Sequence, residues 1–143
     1  MPVLDCSAFE NAISQLEKSM SYLNSDASRN DSNLRDQFRA AVIQAFEFTY
    51  ELGTKMIRRQ LGQIAANPGE LREMNFLDLI RTAADAGLVR SVPPFKVYRE
   101  MRNLTAHTYD GAKAEMVLSS MSSFLEDMRF LLGELQRRNN EAN

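Results

Sequence analysis

Apolar residues recur at steps of three and four along most of the chain, and no segment alternates with the period of two expected of a half-buried strand. Phe9, Ala12, Ile13, Leu16, Met20 and Leu23 draw one stripe, and Ser7 with Glu10 has capping-box spacing, which predicts a first helix from Ser7. Residues 24–33 are polar, carry turn formers and predict a loop. A second helix is expected from Leu34 to Leu61 with two stripes: Phe38, Ala41, Val42, Ala45, Thr49, Leu52 and Met56, then Phe46, Tyr50, Gly53, Ile57 and Leu61. A surface helix needs only one stripe, so this one is expected to lie between neighbours or to meet a second subunit.

Gly62, Asn67, Pro68 and Gly69 make residues 62–74 a connection. Asn75 is placed to cap a short helix bearing Phe76, Leu79, Ile80, Ala83 and Ala84, and Gly87 to stop it. Pro93 and Pro94 open the next helix, which carries Phe95, Val97, Tyr98, Met101 and Leu104. After a tight break at Asp110-Gly111, a last helix from Ala112 to Arg137 carries Ala114, Val117, Leu118, Met121, Phe124, Leu125, Met128, Leu131, Leu132 and Leu135. The expected fold is an all-α, up-and-down bundle of four main helices with one shorter helix, a single domain over residues 1–143.

Composition narrows the chemistry. One Cys excludes an internal disulfide or a Cys-rich zinc site, and one His excludes a two-His metal site within the chain, so neither metal nor cofactor is expected. A net charge of −2 argues against broad electrostatic capture of nucleic acid but leaves room for a local basic cleft. No basic start precedes an apolar run, and no stretch approaches the ~18 apolar residues of a membrane span, which predicts a cytoplasmic protein without a membrane partner.

The single His lies in Arg102-Asn103-Leu104-Thr105-Ala106-His107-Thr108-Tyr109-Asp110. In a straight helix Arg102 and His107 diverge by roughly 140°. If the helix ends near Ala106, His107 can turn back toward Arg102, and Arg102, Asn103, His107 and Tyr109 crowd at one helix end. Arg offers a fixed fork of donors to a phosphate, and His passes protons near neutral pH. Such a pair can cleave RNA without a metal, His107 activating or protonating an oxygen and Arg102 stabilising the charge on phosphorus. The second proton-transfer group is not evident in one chain, and a homodimer would supply another Arg102/His107 pair.

The spacing Arg102-Asn103…His107-x-Tyr109 resembles the Arg-x4-His-x-Tyr signature of the HEPN superfamily. Ala45-Phe46-Glu47-Phe48-Thr49-Tyr50-Glu51-Leu52-Gly53-Thr54-Lys55 is similar to the second-helix motif of its nucleotidyltransferase substrate-binding branch, whose members include HepT toxins. The likeness spans nearly the whole chain. Thr54 departs from it, standing where the branch usually has Trp. The resemblance implies a homodimer with a shared cleft and a minimal nucleotidyltransferase (MNT) partner. It implies Arg102 and His107 as catalytic residues of a metal-independent RNase with Asn103 in support. Tyr109 would be the phenol that receives AMP and so silences the toxin. The acidic net charge and the lack of a broad basic surface keep open the alternative of a non-catalytic subunit that presents substrate or nucleotide to the nucleotidyltransferase.

Other residues read as structural. Arg102 and His107 also suit a hydrogen-bonded pair at a helix C-terminus, where cations are favoured. Tyr109 also suits a half-buried aromatic, and Asn103 a helix-end residue bonded to nearby backbone. Glu47 and Glu51 read as a solvated face, with Glu51 paired to Lys55; Lys55, Arg58 and Arg59 read as a solvated basic face. Met20, Met56, Met101, Met116, Met121 and Met128 fit the core stripes, and Cys6 has no expected reactive role.

Overall fold

The computed structural model describes residues 3–142, and its regular structure there is entirely helical: α1 (Ser7–Leu23), α2 (Asp26–Asn30), α3 (Ser32–Ile64), α4 (Pro68–Glu73), α5 (Phe76–Asp85), α6 (Pro93–Leu104), a 3₁₀ turn (Thr105–His107), α7 (Gly111–Leu118) and α8 (Met121–Ala142). The all-α bundle stands as expected, with more pieces. Helices α1, α3, α6 and α8 form its body.

The two stripes of α3 are explained within the chain, because this helix packs on α1, α5, α7 and α8 at once. An aromatic chain crosses the core: Phe46 meets Phe124 edge-on at 4.8 Å between centroids, Phe124 meets Tyr98 at 5.1 Å, and Tyr98 meets Phe95 at 5.1 Å. It ties α3, α8 and α6 together, each ring contributing burial of about 2 kcal/mol. Helices α1, α3 and α8 converge at Gly53, where a Cβ would lie 3.0 Å from Met128 Sδ and 3.3 Å from Phe9 Cε1.

Several local expectations are corrected. Ser7 and Glu10 form no capping box. Cys6 is the N-cap without a side-chain capping bond, and the Asp5 carboxylate instead accepts from the Ser7 N–H (2.9 Å) and hydroxyl (2.6 Å). The expected loop at 24–33 contains α2, capped by Ser25, and Asp31 then caps α3 by accepting from Asn33 and Leu34 N–H groups. Polar residues here are successive caps, not a loop. The connection at 62–74 contains α4, with Pro68 in its first turn. Arg58 is not on a solvated face: half-buried, it donates to the carbonyls of Leu71 and Met74 and so holds α4 and its C-terminal end to α3.

The last helix is broken at Ser119-Ser120. Ser119 N–H is shared between the carbonyls of Glu115 and Met116, and its hydroxyl donates to Met116 O at 2.5 Å. Such local bonding competes with the helical ladder, so α7 and α8 become separate segments. Met116, within α7, is exposed rather than in the core. Asn75 and Gly87 act as expected. Asn75 accepts from Asp78 N–H, and Gly87 has φ +80°, with Leu88 N–H bonded to Ala83 O and Gly87 N–H to Ala84 O in a Schellman arrangement. Among the described residues no helix is long and apolar enough to cross a membrane.

Candidate functional site

Helix α6 is pinned to the core along one face by Phe95, Tyr98 and Met101, all buried. Arg102 is the next residue and emerges half-buried at the edge of that face. Tyr98 makes the pinning specific. Its hydroxyl donates to Asp127 Oδ2 at 2.5 Å and lies 2.6 Å from Ser123 Oγ, while Arg90 Nη2 reaches Asp127 Oδ1 at 2.7 Å. Burial and then the Asp127 bond push the Tyr98 phenol well above its ordinary pKa.

The chain leaves α6 at Leu104 through the 3₁₀ turn, two residues before the expected end. Thr105 sets this exit: its hydroxyl donates to Arg102 O at 2.6 Å. Asp110 then caps α7, accepting from Ala112 N–H at 3.0 Å, and Asp110 N–H closes the turn on His107 O at 3.1 Å. Glu115 ties α7 to α3 through Arg35 (2.6 Å) and Arg39 (3.2 Å), and these arginines hold its carboxyl below the usual carboxylate range.

The turn separates His107 and Tyr109 from Arg102. His107 and Tyr109 are exposed neighbours, their rings edge-on at 6.0 Å and Tyr109 Oη 3.5 Å from His107 Nδ1, at the outer limit of a hydrogen bond. Tyr109 is 85% exposed, so it is not the half-buried aromatic of the structural alternative. Arg102 turns the other way, toward α3. Its Nη2 donates to Glu51 Oε1 at 2.7 Å, its Nη1 donates to Thr105 Oγ1 at 2.9 Å, and Glu47 Oε2 lies 3.4 Å from Nη1. The expected return of His107 to Arg102 is therefore replaced by contacts of each with other partners. Asn103 is exposed, beside Leu77, Lys96 and Arg99 on the side of α6 toward α5, apart from the contacts of Arg102.

Glu51 is on a solvated face as expected and Glu47 is half-buried, but both pair with Arg102, and Glu51 faces Arg102 rather than Lys55. Their spacing of four on α3 held the signal, but the pairing across helices did not lie in that spacing. Thr105 was missed because a Thr inside a motif carries no signature of its own. On the same helix Tyr50 stacks on Phe76 at 5.5 Å, and burial pushes its phenol up to about 12.

Thr54 is half-buried, with its hydroxyl donating to Tyr50 O at 2.8 Å. It borders an apolar cavity of about 10 Å³ with Ile57, Phe76, Ile80 and Phe95, so the departure from Trp falls in core packing away from the motif. A cleft of about 690 Å³ between α1, α2, α3 and the α7–α8 junction is lined by none of Arg102, Asn103, His107 or Tyr109. No cluster of three or more metal-ligating side chains occurs among the described residues. Cys6 is buried, and burial raises its thiol, which favours the less reactive form.

Known proteins share sequence and fold with this chain. The chain is 43% identical over 108 residues to a Haemophilus influenzae protein named "Probable ribonuclease HepT", covering 76% of this chain and 74% of the relative. A solved Haemophilus influenzae structure, HI0074, described as the fold of a substrate binding domain of a nucleotidyltransferase, superposes with a TM-score of 0.88 at 35% identity. That match covers 92% of this chain and 99% of the other. Residues 4–137 match the family described as nucleotidyltransferase substrate binding protein like. With the matching sequence, fold and extent, the chain belongs to the nucleotidyltransferase substrate binding protein like family.

Proposed function

We propose that this chain is the HEPN toxin of an MNT–HEPN pair: a single-domain, cytoplasmic, homodimeric and metal-independent ribonuclease, silenced when its nucleotidyltransferase partner adds AMP to Tyr109. The observation that carries this reading is the α6 end, where Arg102, His107 and Tyr109 reach the surface within one turn and its exit. The relative named as a ribonuclease and the solved nucleotidyltransferase substrate binding domain support its two halves.

In RNA, the internal nucleophile is the 2′-hydroxyl. Its oxygen bonds to the adjacent phosphorus as the bond from phosphorus to the 5′ oxygen breaks, leaving a 2′,3′-cyclic phosphate. One proton must leave the 2′-hydroxyl and one must reach the 5′ oxygen. His107 performs one transfer, and the partner's His107 in a homodimer performs the other. Arg102 stabilises the charge that gathers on the phosphoryl oxygens, and Asn103 supports the substrate strand nearby.

Silencing uses the most exposed part of the motif. The Tyr109 oxygen attacks the α-phosphorus of ATP, pyrophosphate leaves, and the phenolic proton passes to a base. His107 Nδ1 at 3.5 Å stands closest to that role. The added phosphate places negative charge beside His107, where an RNA phosphate would otherwise sit, and repels it.

The test is cleavage of single-stranded RNA in excess chelator by the wild-type protein, Arg102→Ala and His107→Ala. Cleavage lost in both variants supports the reading; equal cleavage in all three overturns it. For silencing, incubation with the nucleotidyltransferase and Mg-ATP should raise the intact mass by whole AMP units, and Tyr109→Phe should abolish the increase.

A second reading is favoured by one specific feature: two carboxylates oppose the one arginine offered to phosphate, in a chain of net charge −2. It makes the chain a non-catalytic subunit that presents substrate or nucleotide. It predicts a stable complex with the nucleotidyltransferase and no RNA cleavage.

A further inference from the structure

Arg102 is the phosphate-binding group in the reading above, and its orientation is set by very few atoms. A guanidinium has five N–H donors. One Nη1 donor goes to Thr105 Oγ1 and the other faces Glu47 Oε2, while one Nη2 donor goes to Glu51 Oε1. Nε–H and the second Nη2–H remain. Those two groups can hold a phosphate in the bidentate manner that makes arginine its preferred ligand. The Arg102 side chain is 31% exposed.

Thr105 differs from the two carboxylates. Glu47 and Glu51 are long, and their side chains are 36% and 60% exposed. Thr105 is a short side chain, 9% exposed, in the turn itself. One hydroxyl does two things at once: its proton goes to Arg102 O at 2.6 Å, and its lone pair receives Arg102 Nη1–H at 2.9 Å. The first bond closes the end of α6. The second folds the Arg102 side chain back over that end. The turn begun by Thr105 also carries His107, and Thr105 O accepts from the Thr108 hydroxyl at 3.4 Å. Branching at Cβ restricts the hydroxyl to few rotamers, so both bonds hold one geometry.

We propose that Thr105 is the positioning residue of the site, coupling the guanidinium of Arg102 to the turn that presents His107. It does not touch the substrate, and it acts through Arg102. The inference rests on the ribonuclease reading for its effect on catalysis, whereas its structural half stands independently.

Thr105→Val keeps the shape and removes the hydroxyl; Thr105→Ser keeps the hydroxyl on a freer side chain. Relaxation of the ¹⁵N-labelled Arg102 Nε–H group reports the positioning without any need for activity. The expected result is an ordered group in the wild type and Thr105→Ser and a disordered one in Thr105→Val, with all three proteins folded by circular dichroism. In chelator, Thr105→Val should lower kcat for RNA by about tenfold, the equivalent of one hydrogen bond, with KM little changed and Thr105→Ser within about threefold of wild type. An Arg102 Nε–H equally ordered in wild type and Thr105→Val overturns the proposal. So does a loss of kcat that Ser fails to rescue. If the wild type cleaves no RNA, the ribonuclease reading fails, and the relaxation measurement still decides the role of Thr105.

Discussion

Replacing Tyr98 with Phe removes one oxygen from the contact that anchors α6 one turn before Arg102. Tyr98 is 1% exposed and Asp127 6% exposed, so water cannot take the place of the lost hydroxyl. The Tyr98 proton goes to Asp127 Oδ2, and Ser123 Oγ therefore donates to the Tyr98 oxygen. A hydrogen bond to a charged group contributes about 1.5–3 kcal/mol, and a buried acceptor left unpaired adds a penalty. Arg90 still neutralises Asp127 from the other oxygen, which limits that penalty. We expect Tyr98→Phe to cost about 2–3 kcal/mol, read as a lower urea midpoint at unchanged slope and a fall in Tm of roughly 5–10 °C. Asp127→Asn on top of Tyr98→Phe should cost at least about 1 kcal/mol less than the sum of the single changes, because the two share one interaction.

The same contact fixes the sign of a pH effect. Burial and Asp127 hold the folded Tyr98 phenol above its ordinary pKa of 10, whereas in the unfolded chain it ionises near 10. Its contribution is complete below pH 10 and is lost as pH rises further. The wild type should therefore lose stability faster than Tyr98→Phe above pH 10, by up to about 1.4 kcal/mol per pH unit. A Tyr98→Phe protein within about 0.5 kcal/mol of wild type, with the same alkaline slope, would refute this account of how α6 is held.

Three further outcomes follow from the packing. Gly87→Ala forces a side chain into φ +80° and should cost about 1–2 kcal/mol by urea titration. Gly53→Val brings a branched side chain against Met128 and Phe9 and should destabilise by about 1–3 kcal/mol, with a visible change in near-ultraviolet circular dichroism. Glu115→Gln should cost less than about 1 kcal/mol near pH 7, since its pair with Arg35 is partly exposed. Arg35 and Arg39 lower the folded Glu115 carboxyl below its ordinary value of 4.5, so the wild-type advantage is present above pH 4.5. It should vanish as pH falls through the lowered folded value, or in high salt.

The helices were legible wherever one residue decides the backbone. Asn75, Gly87 and Pro93 each mark a boundary through their own chemistry, and each boundary is where the sequence places it. The misreadings share a physical cause. Asn, Asp and Ser at 24–33 suit loops and helix caps equally, and only the fold decides that Ser25 and Asp31 cap two consecutive helices. The apolar steps from Ala114 to Leu135 run straight across Ser119-Ser120, because periodicity reports a buried face and not the hydrogen-bond ladder beneath it. In the site, the spacing from Arg102 to His107 and Tyr109 was legible as one local motif. The partners of Arg102 were not, since Glu47 and Glu51 lie about fifty residues earlier and meet it only after α3 and α6 pack.

The central claim is that Arg102 and His107 cleave RNA through its own 2′-hydroxyl without a metal. The most direct measurement is the cleavage rate, in excess chelator, of one single-stranded sequence prepared as RNA and as its 2′-deoxy counterpart, with wild-type protein and His107→Ala side by side. The account predicts cleavage of the RNA alone, ending in a 2′,3′-cyclic phosphate, and a loss of about 10²–10⁴-fold in His107→Ala. Cleavage of the deoxy strand, or RNA cleavage undiminished by His107→Ala, would contradict it.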